Sequence, residues 1–275
     1  MKLAAGYIVF DGLETLEASI RSVRNNVDFI IVAWQDVSWG GTSASPELIP
    51  TLQRLKEDGL IDRLIHFRNF TPSILRTPAD VLRSKQYELT KRQACLDMAK
   101  DLKQFSHYLS MDADEFYREP EFKMAKEIIE RDSLDATAVN YVNYVTPILH
   151  RGYSRWKVPF IYRITPKTRH HVMQTTFSGI DPTRGLVDDS YAKSLVFDRD
   201  IISMHHMEMI RDDLTAKYLA SSRYFPNRAL LPGMADDIIK AKKTKVLTFT
   251  RAHLGDTDTP HANQQLIECK NEFGL

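Results

Sequence analysis

Tyr108-Leu109-Ser110-Met111-Asp112-Ala113-Asp114-Glu115-Phe116 is an apolar run that ends in three carboxylates. The run reads as a buried strand. Three carboxylates left dry and unpaired at its mouth would be costly. A divalent cation relieves their repulsion. Hard oxygen ligands suit Mg2+ or Mn2+, and such ions usually bind a substrate's phosphates too. In a strand, i and i+2 point to one side, so Asp112 and Asp114 can face one metal or its bound water. Glu115, their immediate neighbour, points away and supports the loop or meets an acceptor. The plainer alternative is an acidic turn capping the helix that starts near Pro120.

Upstream, the chain alternates strand and helix. Tyr7-Ile8-Val9-Phe10 is a short apolar run broken by Asp11-Gly12. Leu16, Ile20 and Val23 then fall at i, i+4 and i+7, one helical face. Phe29 to Trp34 is a second strand, and Gly40-Gly41-Thr42-Ser43 a loop. Ser45-Pro46 reads as an N-cap with proline in the first turn of a helix carrying Leu48, Leu52 and Leu55, closed by Gly59. Leu64 to Phe67 is the third strand. A helix from about Ser84 to Phe105, with Ala94, Met98 and Leu102 facing in, leads to the acidic strand. This β-α-β-α-β order implies a parallel, right-handed, doubly wound sheet. Such sheets bind phosphates beyond the carboxyl ends of their strands, where the acids fall.

Downstream the alternation weakens. Glu119 to Ile129 is a helix, and Ala136 to Val145, Phe160 to Ile164 and a segment of Leu195 to His205 are strands. Irregular connections suggest a mixed second half. From Arg211 the chain reads as mostly helical, with breaks at Tyr224-Phe225-Pro226-Asn227 and Leu231-Pro232-Gly233. The expected organisation is a domain over 1–220, divided into a nucleotide-binding half (1–116) and an acceptor half (117–220), with a helical extension over 221–275 packed on it.

Composition bounds the partners. The 275 residues are 43% hydrophobic and 27% charged, ordinary for a globular protein. With 37 basic and 36 acidic residues the formal charge is +1, which gives no broad electrostatic case for nucleic acid or a membrane surface. Cys95 and Cys269 are far apart and lack metal or redox spacing, as expected in a reducing, cytoplasmic setting. No apolar stretch reaches the ~18–20 residues of a membrane span, and the N-terminus lacks a signal-peptide layout.

Other residues join the acids as candidates. His205 and His206 point to opposite faces of a strand, so only one is a ligand. An imidazole added to carboxylates tilts the metal from Mg2+ toward Mn2+. Lys91-Arg92 can balance pyrophosphate charge or simply form a solvated helix face. Asp36, at the end of the second strand, can accept hydrogen bonds from a base or ribose, with Gln35 and Trp34 as alternatives. Asp188-Asp189 follow a Gly- and Pro-marked loop and suit a general base or an N-cap. Tyr141, Tyr144, Tyr153 and Trp156 can stack on an acceptor's sugar rings or fill the core.

Three stretches together resemble a GT-A-fold glycosyltransferase of the family 2-like kind. They are Tyr7 to Asp36; Lys91 to Phe116, KRQACLDMAKDLKQFSHYLSMDADEF; and Ile202 to Tyr218, ISMHHMEMIRDDLTAKY. The resemblance covers about residues 3–220. It implies a metal-dependent enzyme that moves a sugar from a nucleotide-diphosphate sugar, UDP-sugar first, to an acceptor hydroxyl. By resemblance Asp112 and Asp114 bind metal, ribose and diphosphate, with Asp114 the direct ligand and His205 the family's histidine. Phe10 and Asp11, Asp36 and Arg92 line the nucleotide site, and Asp188 and Asp189 stand for the base. This sequence departs from the family at Phe10-Asp11-Gly12, where an Asn-Glu-type pair is common, and at Gln35-Asp36-Val37.

Rivals come from other classes. A nucleotidyltransferase needs a Gly-rich phosphate loop after the first strand, and Phe10-Asp11-Gly12-Leu13 lacks one. An aspartyl-phosphate phosphatase carries its motif near the N-terminus. A non-catalytic nucleotide-binding module of the same fold is the third. A DNA-modifying transferase gains nothing from the near-neutral charge.

Overall fold

The computed structural model describes residues 1–72, 77–171, 176–180, 184–211, 213–214, 217, 231–247 and 264–275. Of the two expected breaks, Tyr224 to Asn227 lies outside them, whereas Leu231-Pro232-Gly233 falls within the helix Leu231–Thr244. The first half runs β1 (Leu3–Val9), α1 (Leu13–Arg24), β2 (Phe29–Trp34), α2 (Leu48–Glu57), β3 (Arg63–His66), α3 (Pro78–Asp101) and β4 (His107–Asp112). The second half adds β5 (Glu115–Phe116), α4 (Glu119–Asp132), β6 (Ala136–Thr146), β7 (Leu149–Arg163), β8 (Arg169–His170), β9 (Leu186–Val187), β10 (Ser194–Val196) and β11 (Ser203–His206). The extension contributes α5 (Leu231–Thr244), β12 (Val246–Leu247), β13 (Gln264–Gln265) and β14 (Ile267–Glu268).

The main sheet has the order β3-β2-β1-β4-β7-β6-β11-β5. The first four strands are parallel, β7 is antiparallel to both β4 and β6, and β11 is again parallel to β6. This is the mixed α/β sheet that the sequence implies.

Strand alternation builds two cores. Leu3, Ala5, Tyr7 and Val9 pack with Leu16, Ile20 and Val23 of α1, Leu48, Leu52 and Leu55 of α2, and Phe122, Ala125 and Ile129 of α4. On the opposite face Ala4, Ile31, Ala33 and Tyr108 meet Cys95, Leu96 and Ala99 of α3. Each buried Leu or Ile adds roughly 1.5–3 kcal/mol over an exposed one. Gly6 lies under α3 and beside β4: a Cβ there would lie 1.9 Å from Tyr108 Oη of β4 and 2.7 Å from Cys95 Cβ of α3.

α3 departs from its expected register. It begins at Pro78 because Thr77 and Asp80 form a reciprocal capping box. Its inward face is Lys91, Arg92, Cys95, Leu96 and Ala99, whereas Leu102 is exposed. Two charged residues stand on the face that hydrophobic spacing would fill with carbon, so periodicity chooses the wrong stripe.

The extension is helical in α5, whose Ile238 and Ala241 pack with Val145, Leu149, Met209 and Leu266. It also has strand character: β14 returns to the main sheet and pairs antiparallel with β7. Among the described residues no helix is long and apolar enough to cross a membrane.

Candidate functional site

β1, β2 and β4 end together, with Val9 opposite Trp34 and Ile8 opposite Asp112. Chain order departs in both directions from β1, to β2 on one side and β4 on the other. The crevice outside the carboxyl ends at such a switch point is where open α/β sheets bind ligands.

α3 places two buried cations beneath these strand ends. Lys91 is buried, and its Nζ donates to the Val9 carbonyl at 2.8 Å and to Gln35 Oε1 at 2.9 Å. Burial pushes this amine down to about 7. Arg92, 1% exposed, donates to Ser110 Oγ at 3.0 Å, to Glu88 Oε1 at 3.0 Å and to Asp112 Oδ1 at 2.8 Å. The solvated-face alternative for this pair is therefore excluded.

A third cation comes from the loop before β9. Arg184 is buried and bridges the carboxylates of Asp112 and Glu115. Glu115 also accepts from the Asp112 backbone N–H at 3.0 Å, so it closes the turn and braces the loop. Burial raises the Glu115 carboxyl, and Arg184 opposes that rise.

Asp114 belongs to a separate cluster. β4 ends at Asp112, and Ala113-Asp114 form a turn, so the strand rule that places both carboxylates on one side does not apply. Asp114 Oδ2 accepts from Arg211 Nη2 at 2.7 Å and Lys217 Nζ at 2.8 Å. Burial alone would raise this carboxyl, but Lys217, Arg211 and His206 hold it well below the usual carboxylate range. Arg211 passes close to the β1–α1 turn: its Nη1 donates to Thr15 Oγ1 at 3.1 Å. Gly12 stands at φ 82°, and a Cβ there would lie 2.9 Å from Arg211 Nη2. Left-handed backbone and side-chain crowding both favour glycine at this position.

The histidine at Asp114 is His206, with Nε2 3.7 Å from Oδ1. The sequence preference for His205 is not met, and strand pairing gives the reason. β11 runs antiparallel to β5 with His206 opposite Glu115 and His205 opposite Phe116, so His206 shares the acidic face. His205 is buried on the other face, where its Nδ1 pairs with Tyr144 Oη at 2.8 Å. Burial lowers it to about 3, with Arg118 and His150 adding to the effect.

The remaining candidates scatter. Phe10 is half-buried and Asp11 exposed just beyond β1. Asp36 is exposed, 3.5 Å from His66 Nε2, and His66 stacks on Trp34 at 3.9 Å between centroids. Asp188 is buried and committed locally: it accepts from Ser190 N at 2.8 Å, Ser190 Oγ at 2.7 Å, Thr168 Oγ1 at 3.2 Å and Thr165 Oγ1. Those hydrogen bonds outweigh burial and hold its carboxyl down. Asp189 is exposed.

The donor set does not fit the expected Mn2+ or Mg2+. Asp112 is paired with two guanidinium groups and Asp114 with a guanidinium and an ammonium. Among the described residues no three His, Cys, Asp or Glu side chains are grouped to hold a metal ion. Arg184, Arg211 and Lys217 escape sequence reasoning because a lone basic residue has no spacing signature. Only their place around the histidine strand and after the Gly-rich loop hints at them.

No protein-family model matches this sequence, and no curated protein matches it as a relative. Among solved structures the chain is similar to S. aureus TarS, at 11% identity and a TM-score of 0.43 over 87% of this chain and 42% of that one. It is likewise similar to GalNAc-T7 solved with UDP, GalNAc and Mn2+, at 11% identity and a TM-score of 0.40 over 83% of this chain and 49% of that one. S. aureus TarS 1-349 in complex with UDP-GlcNAc gives 11% identity and a TM-score of 0.39 over 89% and 73%. The chain thus spans less than half the length of TarS and of GalNAc-T7.

Proposed function

We propose that this protein is a glycosyltransferase that moves a sugar from a nucleoside-diphosphate donor, a UDP-sugar first, to an acceptor hydroxyl. One observation carries the reading. Arg92 and Arg184 pair with Asp112 at the end of β4, and Arg211 and Lys217 pair with Asp114 in the turn that follows, so four cations from separate parts of the chain gather on two neighbouring carboxylates. They do so at the switch point of a doubly wound sheet, where a phosphate-bearing ligand belongs.

In this reading the crevice takes the diphosphate, and Asp36 with the Trp34–His66 stack faces the nucleoside. Basic side chains offset charge on the departing nucleoside diphosphate as the glycosidic bond breaks. No step is assigned to a metal, since the carboxylates that would hold one are ion-paired. A carboxylate takes the acceptor's proton. Asp188 is committed to Thr165, Thr168 and Ser190, which leaves Asp189 of the pair to do so. The acceptor enters from the second half, where exposed Tyr153 lies under Arg199 at 4.4 Å.

The test is binding. Thermal unfolding is followed with UDP, GDP, dTDP and their sugars. At least one nucleotide raises the melting temperature in a saturable way. No shift with any of them contradicts the reading.

A further inference from the structure

We propose that Arg211 and Lys217 supply the positive charge at Asp114 that the acidic motif would otherwise draw from a divalent cation, so that nucleoside-diphosphate binding needs no metal. The inference rests on the nucleotide-sugar reading above and assigns two residues that the sequence motif does not contain.

Three observations support it. First, Asp114 is already neutralised by two side chains bonded to a single oxygen, at 2.7 and 2.8 Å. A metal on that oxygen would have to displace both. Its other oxygen faces His206 at 3.7 Å, and His206 is itself engaged with Asn143 Oδ1 at 3.0 Å. Second, the two cations are built in. Arg211 is 8% exposed and is held by Asp114, by Thr15 and by the Ile210 carbonyl at 3.2 Å. Its Nε is buried without a hydrogen-bond partner among the described residues. Lys217 donates to Asp114 and to the Glu208 carbonyl at 3.1 Å, two of the three bonds an ammonium can make. Third, Asp112 is likewise ion-paired with two side chains, Arg92 and Arg184.

Asp114 is then a positioning residue. Its carboxylate fixes a guanidinium and an ammonium beside the β1–α1 turn, and Gly12 leaves room for the former. In this inference a phosphate oxygen takes the third N–H of the Lys217 ammonium, and charge-assisted bonds of this kind are the strong ones.

Calorimetric titration of the full chain with UDP, in excess EDTA and then in excess Mn2+, tests this. GDP and dTDP are titrated in the same way. The expected affinities agree within about threefold between the two conditions. Lys217→Gln weakens binding in EDTA by about tenfold or more, as loss of a charged hydrogen bond implies, and Lys217→Arg restores most of it. The melting temperature of Lys217→Gln without ligand shows that the variant is folded. Binding that requires Mn2+ overturns the inference and leaves the nucleotide reading standing. Binding in EDTA that ignores Lys217→Gln overturns the assignment. No binding of any nucleotide in either condition overturns both.

Discussion

Nε2 of His206 stands 3.7 Å from Oδ1 of Asp114, whereas the neighbouring His205 turns to the opposite face of β11 and pairs with Tyr144. Adjacent residues of one strand thus carry opposite electrostatics. Burial works against a charged His206, but Asp114 and Glu208 outweigh it and raise its pKa above 6.5. A group raised on folding stabilises fully below its unfolded pKa and loses that contribution as pH rises through the folded value. His206→Asn therefore removes a loss of stability that begins near pH 6.5 and continues upward. Melting curves of both proteins across that range check this. Parallel curves contradict it.

His205 has the opposite sign. Its pKa falls to about 3, so from pH 6.5 down to about 3 the unfolded chain takes up a proton that the folded chain refuses. His205→Gln flattens the acid limb of the stability profile and leaves the alkaline limb alone. Acid titration of the unfolding free energy is the measurement.

Arg184 braces two carboxylates, one of them the buried Glu115. Removing one partner of a buried pair strands a charge, at about 3–5 kcal/mol. Arg184→Met is expected to lose that much in denaturant unfolding. Adding Glu115→Gln recovers part of it, and strictly additive losses would show that the two residues do not interact.

Gly6 leaves no space for a methyl group beneath α3. Gly6→Ala drives a Cβ against Tyr108 Oη and Cys95, and overpacking of this kind costs about 1–3 kcal/mol or more. Among the described residues Tyr108 Oη is buried without a partner at hydrogen-bond geometry, so Tyr108→Phe alone is close to neutral. In the Gly6→Ala background Tyr108→Phe restores part of the lost stability. An unchanged Gly6→Ala protein would contradict the packing described.

Where apolar spacing governs, the sequence is a sufficient guide. Leu16, Ile20 and Val23 define α1, and the apolar run Phe29 to Trp34 is β2 without adjustment. Spacing misleads where charge is buried. α3 turns Lys91 and Arg92 inward because the carbonyl of Val9 and the carboxylate of Asp112 receive them, partners distant in sequence. The same limit applies at the site. Asp112 and Asp114 are legible as an acidic strand end, but the turn at Ala113 sends them to different clusters. Which histidine faces the acids is set by pairing with β5, a register that no local pattern reveals. Arg184, Arg211 and Lys217 arrive from across the fold as single basic residues.

Donor hydrolysis reads out the proposed chemistry itself. The protein is incubated with UDP-, GDP- and dTDP-sugars, in excess EDTA and in Mn2+, and release of free nucleoside diphosphate is followed over time. A glycosyltransferase that needs no metal releases nucleoside diphosphate slowly from at least one donor in both conditions, and Arg92→Gln diminishes that release. Release from none of the donors, in either condition, would contradict the reading.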